Sequence, residues 1–295
     1  MPINTLEKHP YLEYYKSLEF DCDYYTGMII GSFPIYAITD TLNEGNEIIE
    51  ERFNKDEAFM RFFYGSRRSK FWFYCSKALN NPNPTNLLQN EAELINYRRD
   101  RAIDFLHKNH LMVSDVICQT NRVDQLSDDN SLLIDDEVSD FINDNLLLNF
   151  NILDLLIKNI KIKNLFFTST KIDGRSPFGW FRQIVELKHQ VTILETFTID
   201  TRSWSLNLTI DNRTYNVFLL PTPKPRGISF TSNQKTRMFS NYIKSVNCNF
   251  YNEIINLQTF TSPQINAIKQ LRESFLIECY KQALEKNNMK FDGSI

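Results

Sequence analysis

The stretch Gly27-Met28-Ile29-Ile30-Gly31-Ser32-Phe33-Pro34 is short, apolar without alternation, and stopped by a proline. An unbroken apolar run of this length suits a strand buried on both faces that empties into a loop. Two further runs share the pattern: Leu111 to Ile117, and Asn164 to Phe167, which ends in Thr168-Ser169-Thr170. Between these runs the spacing predicts helices over Phe71 to Leu79, Leu87 to His107, Ile152 to Asn159 and Pro177 to Leu187, the last with proline in its first turn. Tyr11 to Leu18 reads as a short helix as well. The pattern then alternates over Val191 to Ile199 and Ser203 to Ile210, turns at Asp211-Asn212-Arg213, and returns through Tyr215 to Leu220 into Pro221-Thr222-Pro223. That is a strand hairpin feeding a proline-rich loop. Helices over Thr236 to Val246 and Ser262 to Lys286 close the chain. Strands alternating with helices imply an α/β fold whose mostly parallel sheet is covered on both faces. One domain is expected over residues 1–295, with a core at about 24–245 and a helical extension at about 246–295.

Composition narrows the function classes. Eight glycines in 295 residues form neither of the usual Gly-rich nucleotide-phosphate cradles. The net charge of −3 excludes a cationic coat, so nucleic-acid binding must come from a local patch. The five cysteines are scattered with no Cys-x-x-Cys pair, which argues against a zinc ribbon or an iron–sulfur centre and for a reduced, cytoplasmic protein. No apolar run approaches the ~20 residues that span a bilayer, and Met1 to Phe20 has no apolar leader core. His107 and His110 suit a helix end rather than a metal, since no third ligand is near; His9 and His189 read as surface residues. Neither metal nor cofactor is expected.

In a parallel sheet, ligands bind where the strands end. Those ends carry Gly31-Ser32-Phe33-Pro34, Ser114-Asp115, Thr168-Ser169-Thr170 and Pro221-Thr222-Pro223-Lys224. Two other features belong with them. Phe62-Phe63-Tyr64-Gly65-Ser66-Arg67-Arg68-Ser69-Lys70-Phe71-Trp72 sets three cations between aromatic clusters, a pattern that can stack a base and hold phosphates. The loop from Pro221 to Arg226 is stiffened by prolines and carries a hydroxyl and two cations.

Taken in order, these three segments resemble the uracil-DNA glycosylase superfamily, nearest its mismatch-specific and hypoxanthine-excising branches, over about residues 24–245. The resemblance implies a three-layer α/β/α fold on a central, mostly parallel four-stranded sheet, with the hairpin and the C-terminal helices added. It implies an enzyme that flips a non-standard or modified base, such as uracil, hypoxanthine or a modified pyrimidine, out of DNA and hydrolyses its N-glycosidic bond. Carried over residue by residue, Gly31, Ser32, Phe33 and Pro34 line the base pocket. Phe63 or Tyr64 stacks on the base, and Thr168 with Ser169 reads its edge. Thr222 binds phosphate, Lys224 and Arg226 lie in the stretch that wedges into the duplex, and Arg67, Arg68 and Lys70 face DNA.

The chain departs from that family where water and the leaving group are handled. Ser32 and Phe33 stand where many relatives keep Asp or Asn, Ser69 stands where the hypoxanthine branch has Asn, and Leu220 precedes the late proline. Ser69 and Asp115 are the candidate catalytic residues, with Asp173 a further carboxylate near a strand end; Asp115 serves equally well as a structural cap. Two alternatives follow. One is a glycosylase-fold module that binds DNA without cutting it. The other is a protein-interaction module, using an acidic helix expected at Glu44 to Glu51 within an extra segment, Ala37 to Arg61.

Overall fold

The structure, a computed structural model, describes residues 5–12, 24–43, 45–84, 91–122, 147–172, 174–189, 191–194, 204–223 and 234–288. In chain order its elements are β1 Thr5–Lys8, β2 Gly27–Gly31, β3 Asp40–Leu42, β4 Ile48–Glu51, α1 Phe71–Ala78, α2 Glu91–Lys108, β5 Leu111–Asp115, β6 Ile117–Arg122 and β7 Leu147–Leu148. They continue with α3 Asn151–Lys158, β8 Asn164–Phe167, α4 Pro177–Glu186, β9 Val191–Leu194, β10 Trp204–Ile210, β11 Arg213–Leu219, α5 Gln234–Val246, α6 Cys248–Ile254 and α7 Ser262–Asn288.

The strands form two sheets. The larger has six strands in the order β5-β2-β8-β11-β10-β9. Its first four are mutually parallel, with Gly31 opposite Asp115, Ile30 opposite Phe167, and Phe167 opposite Leu219. Every residue of β2, β5 and β8 is buried, so both faces of this sheet are covered, as their unbroken apolar character requires. The hairpin joins β11 antiparallel to β10 through a turn at Asp211, whose φ of 50° is the left-handed value that Asp tolerates. The central sheet is therefore wider than the four strands expected, because the hairpin and β9 extend it edge to edge.

The second sheet is antiparallel, in the order β4-β3-β1-β6-β7, and was not expected. Only Val116 separates β5 from β6, so the chain steps from one sheet into the other at the end of β5. The amides of Val116 and Ile117 donate to the carbonyls of Gly31 and Ser32, which carries β2's pairing across that step. A buried ion cluster holds the second sheet together. Glu7 on β1 accepts from Arg122 Nε at 3.0 Å, from Arg52 at 3.3 Å and from the Thr39 hydroxyl at 3.0 Å. Arg122 also donates to the carbonyl of Pro34 at 2.8 Å, which ties this sheet to the loop after β2.

The segment expected as an acidic helix at Glu44 to Glu51 is instead the hairpin of β3 and β4. Asn43 Oδ1 accepts from the amides of Gly45 and Glu47, and Asn46 takes a φ of 60°. That side-chain turn outcompetes helix formation, and β-branched Ile48 and Ile49 continue it as a strand. The remaining helices lie where their spacing put them within a few residues. Ser176 caps α4 by accepting from the Gly179 amide, with Pro177 behind it. α6, capped by Asn247, is an additional short helix. Among the described residues no helix is long and apolar enough to cross a membrane. Residues 13–18 of the first expected helix and the acidic segment at 128–136 lie outside the described residues.

Candidate functional site

Because β2, β5, β8 and β11 run parallel, their carboxyl ends share one edge of the sheet. Gly31 ends β2 there, Asp115 ends β5, and Thr168 and Leu220 directly follow β8 and β11. Gly31 is the point of closest approach. A methyl group on its Cα would overlap Asp115 Oδ1 and stand 2.5 Å from the Tyr64 hydroxyl. Glycine is thus the residue that lets a carboxylate and a phenol close on the same strand end.

Asp115 is buried and its Oδ2 lies 2.9 Å from His9 Nε2. The Tyr11 amide donates to His9 Nδ1 at 3.1 Å. That nitrogen is an acceptor, so the imidazole proton sits on Nε2 and is donated to Asp115. His9 is 2% exposed, packed by the rings of Phe33 at 6.0 Å and Phe63 at 5.0 Å, and is not the surface residue its sequence context suggested. It follows β1, so the second sheet delivers it to the end of the first. Among the described residues the Asp115 side chain pairs with His9. Asn149 binds the Asp115 carbonyl at 2.8 Å.

The aromatic segment joins the same edge. Tyr64 donates to the Thr168 hydroxyl at 3.2 Å and stacks on Phe71, ring centroids 4.0 Å apart. Its φ of 55° is uncommon for a bulky residue, and such strain persists where the surroundings over-determine it. Here the stack, the Thr168 bond and a tight turn in which the Gly65 amide donates to Phe62 O fix it. Phe63, by contrast, is 2% exposed among His9, Tyr11 and Phe62, and its carbonyl accepts from Trp72 Nε1. Of the two stacking candidates, Phe63 is core and Tyr64 stands at the edge.

The late loop is tied to this assembly by backbone. The Lys70 amide donates to Pro223 O at 2.9 Å, and the Tyr280 hydroxyl of α7 donates to Pro221 O at 3.1 Å. Burial pushes the Tyr280 phenol well up from its ordinary value, with Cys75 and Tyr64 nearby adding to the shift, so it stays a donor. Tyr74 on α1 is pushed up to about 12 by burial and by Glu273.

Several expected polar groups are committed elsewhere. Ser69 Oγ accepts from the amide of Phe71, the first residue of α1. The Lys70 ammonium lies 2.5 Å from Glu273. Ser169 Oγ accepts from the Lys171 amide. Arg67 is exposed and its Nε donates to Lys55 O, while Arg68 and Thr222 are exposed. Ser32 and Phe33 are half-buried and Pro34 is buried, its carbonyl held by Arg122. Asp173, Lys224 and Arg226 lie outside the described residues. Among the described residues no cluster of three or more His, Cys, Asp or Glu is arranged to hold a metal.

The arrangement offers an oriented buried carboxylate, a phenol and a threonine hydroxyl around one glycine, beside an aromatic stack. No local signal marks His9, because its partner is 106 residues away. No family model, curated protein or solved structure matches the chain.

Proposed function

We propose that the carboxyl edge of the large sheet binds a nucleobase flipped out of DNA and hydrolyses its N-glycosidic bond. The observation that carries this reading is the meeting at Gly31 of the Asp115 carboxylate and the Tyr64 hydroxyl. It brings together the first-strand motif, the end of β5 and the aromatic segment, whose order along the chain resembles the glycosylases. The parallel strands β5, β2, β8 and β11 supply the core that this family reading needs, and the Lys70–Pro223 bond brings the late loop to the same place.

In this reading Tyr64 is the stacking ring, and Thr168, held by Tyr64, faces the base edge. Ser69 Oγ already accepts from the Phe71 amide, and water positioning is assigned to the buried carboxylate of Asp115. Water attacks the anomeric carbon, and the bond from that carbon to the base nitrogen breaks with its electron pair leaving on the base. The proton lost by the water goes to Asp115, whose other oxygen is held by His9. Arg67, Arg68 and Thr222 are exposed to meet phosphates.

A second reading, binding without cleavage, is favoured by Ser69, the candidate for handling water, whose Oγ already accepts from the Phe71 amide. One experiment separates the two. Labelled single- and double-stranded oligonucleotides carrying uracil, hypoxanthine, a G·T mismatch or a modified cytosine are incubated with excess protein, then heated in alkali. Strand cleavage at one substrate, lost in Asp115→Asn, supports hydrolysis. A mobility shift without cleavage supports binding alone, and neither signal overturns both.

A further inference from the structure

The exposed strand β4 is the outer strand of the antiparallel sheet, paired with β3 on one side and with no other described strand. A sheet edge presents unpaired backbone N–H and C=O groups, a template for another strand. Proteins blunt such edges with charged side chains, proline or cover, and here Glu50 and Glu51 charge one half of the strand while Ile48 and Ile49 leave the other apolar. This strand exposes all four of its residues, with Ile48 47% and Ile49 64% exposed. Two β-branched apolar side chains this exposed on an open edge mark a surface that gains by being covered.

Charge decides what covers it. Residues 43–57 hold six acidic side chains against two basic ones. Glu50 Oε2 accepts from Arg52 and from the Thr41 hydroxyl, and Glu51 Oε2 accepts from Arg61, yet these two side chains remain 59% and 66% exposed. Glu47 is exposed beside them. A second copy carries the same acidic excess and would bring it against itself, whereas a basic segment would complement it. We propose that β4 accepts an extended segment of a partner protein, in which Lys or Arg alternates with apolar residues, as a sixth strand of this sheet. Backbone bonds to the edge supply affinity, while Ile48, Ile49 and the glutamates select an apolar, basic sequence. The inference stands whether or not the sheet edge at Gly31 acts on DNA.

The test uses the full chain and a fluorescein-labelled Lys-Val-Lys-Val-Lys-Val-Lys peptide, read by anisotropy at low and at physiological salt. Two control peptides accompany it: the Glu-Val equivalent, and the Lys-Val peptide N-methylated at every residue so that neither edge keeps a backbone N–H to donate. The Lys-Val peptide is expected to bind, more weakly at higher salt, and both controls to fail. Changing Glu47, Glu50 and Glu51 together to Gln should weaken binding about tenfold, since three exposed charge pairs are lost. Ile49→Thr, which keeps the strand and all charges, should weaken it as well. Absent Lys-Val binding, equal affinity for the N-methylated peptide, or unchanged affinity in both variants would overturn the proposal. A concentration-dependent dimer in light scattering that Ile49→Lys abolishes would also overturn it, by assigning the edge to a second copy.

Discussion

Replacing His9 by Phe separates the polar role of this residue from its packing. The new ring keeps the neighbours that surround the imidazole, Tyr11, Phe33 and Phe63, at centroid distances of 5.0 to 6.2 Å. What is lost is the 2.9 Å bond to Asp115 Oδ2, inside a site where the two side chains are 0% and 8% exposed. A hydrogen bond to a charged group contributes about 1.5–3 kcal/mol, and stranding a buried charge costs about 3–5 kcal/mol. A loss of about 3 kcal/mol in unfolding free energy is therefore expected for His9→Phe. Asp115→Leu should lose a similar amount, because it leaves the Nε2 proton without an acceptor. The double variant should lose clearly less than the sum, with a coupling of about 2 kcal/mol. Urea unfolding at pH 7, followed by far-ultraviolet circular dichroism, measures all four proteins. If His9→Phe falls within about 0.5 kcal/mol of wild type, or the two changes simply add, the buried pair is not what orients Asp115 and the reasoning fails.

Other consequences are as direct. Gly31→Ala forces a methyl group against Asp115 and Tyr64, so a loss of about 1–3 kcal/mol is expected on unfolding, together with weakened DNA binding or cleavage; unchanged values would mean the strand ends are looser than described. Arg213 donates to the carbonyls of Leu156, Asn159, Ile160 and Ile162, closing the end of α3, so Arg213→Met should cost about 2–4 kcal/mol in urea unfolding, with Lys restoring little of it. Tyr74 ionises more readily in the unfolded chain than in the folded one, where burial lifts it to about 12. Its contribution is thus intact below pH 10 and drains away as pH rises through 12, and Tyr74→Phe should flatten the stability curve in that window. Burial also lifts the Cys75 thiol well above its ordinary value, so Cys75 should resist a thiol reagent at pH 8 until the chain unfolds, while exposed Cys248 reacts at once.

The large sheet was legible because its strands announce themselves locally. β2, β5 and β8 are unbroken apolar runs, and an alternating β10 turns at a polar Asp211-Asn212-Arg213 into the apolar end of β11. The second sheet was not. Its strands are two to six residues long, and its central pairing joins Thr5 to Arg122, so no window of sequence contains both partners. Glu44 to Glu51 has a helix-like composition, but the Asn43 side-chain turn decides the matter and no propensity sum contains it. The same division holds at the candidate site. Gly31, Asp115, Tyr64 and Thr168 were visible as residues at strand ends or beside aromatics. His9 depends on the unforeseen sheet, and the diversion of Lys70 depends on Glu273, 203 residues away. The choice between Phe63 and Tyr64 rests on a turn with a positive φ, where neither helical nor strand periodicity applies.

The most direct test of the account is a photo-crosslinking map. DNA carrying 5-iodouracil at one position is mixed with the full chain and irradiated, and the adduct is located by mass spectrometry of the digested protein. Crosslinks are expected at Gly31 to Pro34, at Tyr64 to Lys70, or at Thr168 and Ser169, and they should vanish in Gly31→Ala. Adducts found only away from these strand ends, or none at protein concentrations that saturate a mobility shift, would contradict the assignment of the base site to the carboxyl edge of the sheet.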